Sequence, residues 1–396
     1  MKVVVALEHR FDRTPDGRVW TQTTFAHSFW VRYLEVFDGV RVVARVRDVP
    51  AVPSDWKAAN GEGVSFAPLP YYIGPWQYLL KAQQVKRAAR NAVGANDAVI
   101  LRPASQIADC IEPLLCRSGH PYGVEVVADP YDVVAPGSVK HPLRPVFRWL
   151  FPRQLRRQCA GACAGAYVTK QALQQRYPCP NFSVGVSDVD LPEITLASVP
   201  RLPQPAGSPL TLIAVGTLAQ LYKAPDAAIE AVSICVQEGL DIKLVWVGDG
   251  KHRPEMEALA ASRGLGDRVC FRGQLTAGDA VRAELNRADL FIMPSHQEGL
   301  PRAMVEAMAQ ALPCIGSTVG GIPELLPPQD LIPPGDAGAL ASKIREVVAN
   351  PERMAAMSAR NLEKAKDYTD EVLQQQRNGF YRYLREMTET WLRQQK

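Results

Sequence analysis

Five prolines crowd the stretch Leu191–Pro209, at positions 192, 200, 203, 205 and 209, and the hydrophobic periodicity on either side of it lapses there. Proline fixes φ and donates no hydrogen bond, so such a stretch continues neither a helix nor a central strand and reads as an interdomain linker. A chain of 396 residues is more than one ordinary core serves, and two domains of similar size follow. The expected bounds are 1–195 and 196–375, with a last helix over about 376–396 that packs back on the first domain.

One pattern runs on both sides of the linker. Before it, Val3–Leu7 reads as a buried strand, Glu8–Val19 as an irregular polar segment and Thr21–Phe37 as a helix, with Phe25, Phe29, Tyr33 and Phe37 on one face. Val40–Val46, Ala98–Leu101 and Val124–Ala128 are further strands. After it, strands at Leu210–Val215, Ile242–Val247, Val269–Phe271, Leu290–Met293 and Cys314–Ile315 alternate with helices at Pro225–Gln237, Pro254–Arg263 and Pro301–Gln310. Strand and helix in alternation give parallel sheets with crossover helices, the α/β class. Two such halves leave a cleft between the carboxyl ends of their sheets.

Several function classes fall away. No apolar run reaches the roughly 18–20 residues that span a bilayer. The start, Met1 to Leu7, reads as a first strand rather than a secretion signal. The eight cysteines are scattered and complete no zinc pattern, which suits reduced thiols in a cytoplasmic protein. Glu8–Gly17 holds one glycine and no G-x-G-x-x-G, which argues against a hydride-transferring dinucleotide enzyme. Residues 1–195 carry 23 Lys and Arg against 17 Asp and Glu; the remainder carries 22 against 24. The basic excess is densest in Lys140–Arg157, where five arginines alternate with Phe147, Trp149, Leu150 and Phe151. That mixture suits peripheral contact with an anionic membrane through Arg148, Arg153, Arg156, Arg157, Trp149 and Phe151, and equally an ordinary protein surface. Nucleic acid is not an expected partner.

The densest chemical signal is Glu298-Gly-Leu-Pro-Arg-Ala-Met-Val-Glu306, two carboxylates eight positions apart. Glu298 falls in the loop after a strand, and Glu306 in the early turns of a helix. The free N–H groups of that helix start and the positive end of its dipole suit a diphosphate. A carboxylate accepts two hydroxyl hydrogens at once, as a vicinal diol offers. Alone, the pair would be two solvated glutamates. The surroundings change that reading. Val215-Gly-Thr-Leu-Ala-Gln-Leu-Tyr-Lys223, Val247-Gly-Asp-Gly250, Phe271-Arg-Gly273 and Gly320-Gly-Ile-Pro-Glu324 are four strand ends with glycine turns, in the order of one nucleotide site.

This run, roughly residues 210–330, resembles the donor domain of the family-four glycosyltransferases, retaining enzymes of the GT-B fold. In that fold two Rossmann-like, doubly wound α/β domains face each other across a cleft. The resemblance implies that Lys223 binds the donor diphosphate and that Gly216 admits its phosphate. It implies that Glu306 holds the ribose hydroxyls and that Glu298, with the backbone of Gly299, Leu300 and Pro301, meets the transferred sugar. Arg272 and Leu275 lie where the family holds the base, and Gly248 and Arg302 belong to the same implied donor site. The sequence also departs from the family. Thr217 stands where an arginine is common, with Arg253 or Arg302 as the substitute cation. The N-terminal Gly-Gly loop is missing. Asp129 occupies the place of the family's N-domain catalytic histidine, or else caps a helix.

The expected function is retaining transfer of a hexosyl unit from a nucleotide-diphosphate sugar to a glycan or lipid-linked acceptor, in bacterial polysaccharide or glycolipid synthesis. No cofactor and no metal is expected, because no Asp-x-Asp ends a strand of the donor half and Lys223 with a helix start serves the diphosphate. A nucleotide-sugar 2-epimerase of the same fold and a non-catalytic nucleotide-sugar-binding subunit are the alternatives.

Overall fold

The computed structural model describes residues 1–103, 105–134, 143–202, 209–276 and 278–395. Pro203 and Pro205 of the linker, and Lys140, His141 and Pro142 of the basic stretch, lie outside these residues. Nine described strands form the first sheet: β1 (Lys2–Arg13), β2 (Val19–Thr21), β3 (Gly39–Asp48), β4 (Lys57–Ala58), β5 (Val64–Leu69), β6 (Ala98–Arg102), β7 (Gly123–Val126), β8 (Ala164–Tyr167) and β9 (Phe182–Gly185). Six form the second: β10 (Leu210–Val215), β11 (Ile242–Val247), β12 (Val269–Gly273), β13 (Leu290–Met293), β14 (Cys314–Ser317) and β15 (Leu331–Ile332).

The second sheet is parallel throughout, in the order β12-β11-β10-β13-β14-β15. The first repeats this order as β5-β3-β1-β6-β7-β8-β9, also parallel, with β2 and β4 added antiparallel beside β1. Both sheets therefore wind outward from a central strand, then reverse. The reversal leaves a crevice at the carboxyl ends of β1 and β6, and another at those of β10 and β13.

Helices cover both faces, so the central strands are continuous apolar runs rather than alternating ones. Side chains still alternate in direction. Val4 and Ala6 pack with Val85, Ile107 and Leu155 on one face, and Val3 and Val5 with Trp30, Tyr33 and Phe380 on the other. The last helix, Asp370–Gln394, starts at the crossing between domains. Leu191 N–H donates to the Asp370 carboxylate at 2.8 Å, and Asp370 N–H to the Leu191 carbonyl at 3.0 Å, so outgoing and returning chains are tied. The helix then buries Phe380, Tyr381 and Leu384 on the first domain. Gly123 makes room for it: a Cβ there would meet the Phe380 ring at 2.7 Å.

Two elements differ from the sequence reading. β1 does not stop at Leu7 but continues through Glu8 to Arg13, because a register shift between Ala6 and Arg10 lets it resume pairing with β3 from Arg45 to Asp48. The first helix spans only His27–Leu34. The hydroxyls of Thr21 and Thr23 accept from the N–H groups of Thr23 and Phe25, at 3.1 and 3.4 Å, which holds the chain in turns before Ala26. His27 packs against Gly61 and Glu62, its Nε2 being 3.0 Å from the Glu62 carbonyl oxygen.

Candidate donor site

The crevice between β10 and β13 brings the strongest sequence candidates together. Lys223 comes from the turn after β10 and Glu298 from the loop after β13. The Lys223 ammonium donates to both carboxylate oxygens of Glu298, at 2.7 and 2.9 Å. The pair is largely desolvated, the side chains being 15% and 6% exposed. Ala224, directly after Lys223, holds a left-handed φ of +52° before Pro225 starts the next helix. That is strain of about 1–3 kcal/mol kept at the turn that presents Lys223.

Glycines let the backbone close around this pair. Gly216 lies under the Lys223 stem, where a Cβ would come within 2.9 Å of Cγ. Gly248, at φ +137°, lies against the Gly216 carbonyl, and its N–H donates to the Gly273 carbonyl at 2.9 Å. Thr217 is engaged within the turn: its hydroxyl accepts from Ala219 N–H at 3.1 Å and reaches the Asp249 carbonyl at 3.3 Å.

Pro301 is the N-cap of the helix Arg302–Ala309, and no side chain caps that helix start. The preceding loop abuts the first domain: a Cβ on Gly299 would lie 3.1 Å from the Val127 carbonyl oxygen. Cavities open on both sides of the contact. One of about 440 Å³ is lined by Glu298, Gly299 and Thr318 on one wall and by Asp129, Thr169 and Arg176 on the other. One of about 540 Å³ lies between Leu300 and Arg302 and the first domain's Phe25 and Arg102.

Glu306 sits in the second turn of the same helix, half-buried, and its carboxylate has no hydrogen-bond partner among the described residues. Burial pushes its carboxyl above the ordinary range, offset in part by Arg302. A half-buried acid with unused acceptor capacity fits a ligand that brings its own donors. Glu306→Ala is therefore expected to weaken nucleoside diphosphate binding by about 1.5–3 kcal/mol, the worth of one charge-assisted hydrogen bond. Calorimetry on the folded variant checks this, and unchanged affinity would remove Glu306 from the site.

The other candidates are more dispersed. Arg272 donates to Glu284 at 3.1 Å, and Leu275 is partly buried against the core. Arg253 is taken up by Glu257, Asp249 and the Phe271 carbonyl. Asp129 faces the cavity shared with Glu298 but has both oxygens engaged. It caps the short helix Pro130–Val133, accepts from the Tyr177 hydroxyl and pairs with Arg176. Among the described residues, no three His, Cys, Asp or Glu side chains gather as a metal-ligand set.

Glu324 has a part that its motif did not reveal. Its carboxylate crosses the cleft and accepts from the N–H groups of Lys170, Gln171 and Ala172, at 2.5, 3.0 and 2.7 Å. One residue of the second domain thus caps a helix of the first.

Residues 209–350, which hold this crevice, match the family model for glycosyl transferases group 1. The Staphylococcus aureus protein CapJ is 28% identical over 358 residues, 89% of this chain and 88% of that protein. A putative colanic acid biosynthesis glycosyltransferase of Salmonella typhimurium, WcaL, is 30% identical over 211 residues, half of each chain. The Anabaena HepE structure with UDP and glucose superposes with a TM-score of 0.64, at 14% identity, over 96% of this chain and 98% of that one. The chain is a glycosyltransferase of the GT-B fold, with the match to the glycosyl transferases group 1 family lying in residues 209–350 of its second domain.

Proposed function

We propose that this enzyme transfers a hexosyl unit, with retained anomeric configuration and without a metal ion, from a nucleotide-diphosphate sugar to a glycan or lipid-linked acceptor. The observation that carries the reading is the desolvated Lys223–Glu298 pair at the switch point, beside an uncapped helix start. Donor binding exchanges partners: the diphosphate takes the Lys223 ammonium, and the Glu298 carboxylate is released to the hydroxyls of the sugar. Glu306 accepts the ribose diol. The acceptor oxygen bonds to the anomeric carbon on the face that the diphosphate leaves, and its proton passes to a leaving phosphate oxygen. Asp129, with both oxygens occupied, keeps Arg176 and the Pro130 helix in position. Catalysis then rests on orientation and on charge placed where the leaving group develops. The colanic acid role in the WcaL name supports a place in bacterial polysaccharide or glycolipid assembly.

Release of nucleoside diphosphate from a panel of nucleotide sugars, with and without acceptors, tests the reading. Release that depends on an acceptor, with a product of unchanged anomeric configuration by NMR, is the expected result. Release without any acceptor, with a 2-epimeric sugar, would assign an epimerase, and binding without turnover a non-catalytic subunit. Turnover is expected to survive EDTA, since Lys223 and the helix start serve the diphosphate. Complete loss restored by magnesium would overturn the metal-free mechanism.

A further inference from the structure

The helix Ala172–Arg176 of the first domain starts without a cap of its own. Its N-cap residue, Gln171, makes no capping bond with its side chain, so the N–H groups at this start need an acceptor from elsewhere. Glu324 of the second domain supplies it. One of its oxygens accepts from Lys170 N–H, and the other from Gln171 and Ala172 N–H. Hydrogen bonds to a carboxylate are stronger than those between neutral groups, so three together make a firm tie.

Glu324 belongs to the element that braces the Glu298 loop. The short helix Ile322–Leu325 carries it directly after Gly320 and Gly321. A Cβ on Gly320 would lie 2.1 Å from the Glu298 carbonyl oxygen, and Gly321 N–H donates to the Gly299 carbonyl at 2.6 Å. Gly321 also faces the first domain, where its Cβ would stand 3.1 Å from Thr169 Cγ2. A Cβ on Gly299 would be 3.5 Å from Val168 Cγ2. The Glu298 loop, the glycine turn and Glu324 therefore all meet residues 168–172. Thr169 and Ala172 form one wall of the cavity whose other wall holds Glu298, Gly299 and Gly320. The reach of the Glu324 side chain thus sets how far apart these walls stand.

The contact is reversible. Lys170 and Gln171 are exposed, so water replaces the carboxylate at their N–H groups when the domains part. The Lys170 ammonium adds an ion pair at 3.2 Å with Asp367, on the segment that leads into the last helix, and both side chains are accessible to water.

We propose that Glu324 is a positioning residue for glycosyl transfer, a latch that holds the Glu298 loop at its working distance from the first domain. Lys223 and Glu306, which serve the nucleotide, lie on the second domain, so an unlatched enzyme still binds the donor but presents its sugar out of place. A displacement of about 1 Å at the reacting atoms is enough to cost about 100-fold in rate. The inference rests on the proposed function in placing the sugar at Glu298.

Glu324→Gln in the full-length protein tests the latch. An amide turns its NH2 group toward N–H donors from one of its two positions, so at most part of the cap survives. The expected result is a kcat about 10- to 100-fold lower, with donor KM and calorimetric nucleoside diphosphate affinity within about twofold of wild type. Small-angle scattering should give the variant a larger radius of gyration. Glu324→Asp keeps the charge but withdraws it by one methylene. It should fall between, and it carries the test if circular dichroism shows Glu324→Gln unfolded. A folded variant with kcat within about threefold of wild type, with unchanged scattering, or with nucleoside diphosphate affinity reduced as much as kcat would overturn the inference. A wild type without transferase turnover would instead remove the proposed function, and the scattering comparison would still decide the latch.

Discussion

Lys223→Ala is expected to lower kcat/KM for glycosyl transfer by about 100- to 1,000-fold, the effect of deleting one preorganised donor aimed at developing charge. The leaving diphosphate gains charge as its bond to the anomeric carbon breaks, and Thr217 offers no cation where the resembling family has an arginine. Lys223 therefore carries more of this load than in a site with two cations. The substitution also strips Glu298 of its partner. Breaking a desolvated pair by removing one member costs about 3–5 kcal/mol when burial is complete, and less here, since the Lys223 side chain is 15% exposed. The two effects separate in the double variant Lys223→Met/Glu298→Gln. It should recover most of the lost urea stability, because no buried charge is left alone, yet remain inactive. A single variant that keeps kcat/KM within threefold of wild type would show that the pair is only structural.

Much of the donor half was legible in the sequence because its chemistry is local. Gly216, Gly248 and Gly320 mark places where backbone approaches its neighbours too closely for a Cβ, and such places cluster at strand ends. The two glutamates follow from one strand and one helix start. The continuation of β1 past Leu7 was not legible, because Glu8, His9 and Arg10 break the apolar run before pairing resumes beyond a register shift. Thr21–Phe25 misled for the opposite reason: the aromatic spacing is helical, but threonine hydroxyls compete for the backbone. The ties across the cleft were hidden altogether. Glu324 caps a helix roughly 150 positions away in sequence, with sequence separations of 154 to 152 in its three bonds. Asp129 reads the same in sequence whether it faces substrate or binds Arg176 and Tyr177. Periodicity and motif carry information over a few turns, and these pairings depend on how two domains meet.

The second large effect is expected from a site that no motif announces. Arg102, at the end of β6, is buried and pairs with Glu125 and with Asp188, the latter at 3.1 Å. Tyr33 donates to both Glu125 oxygens, at 3.0 and 2.9 Å, and Tyr381 of the last helix donates at 3.3 Å. Arg32 reaches Asp188 at 3.3 Å. The network thus joins the first helix, the sheet and the C-terminal helix, and Arg102 and Asp188 also line the cleft beside Leu300 and Arg302. Arg102→Met leaves two carboxylates without the fork that bridged them, and a loss of about 3–5 kcal/mol is expected. Arg102→Lys keeps the charge but cannot bridge both acids, so it should fall between. The network also dictates an acid limit. Burial alone would raise the Asp188 carboxyl, but Arg102, then Arg32 and Arg377, bring it down to about 2. A folded-state value below the unfolded one of about 3.9 gives stability that is present above about pH 4 and lost as pH falls toward 2. Urea titrations at about pH 7 and pH 3, followed by tryptophan fluorescence, check both parts. Wild type should lose stability between the two, and Arg102→Met should lose less, because its Asp188 keeps only Arg32 and Arg377 to bring the carboxyl down. A variant within about 1 kcal/mol of wild type at neutral pH, or one with an undiminished acid response, would show that the network does not anchor the last helix to the first domain.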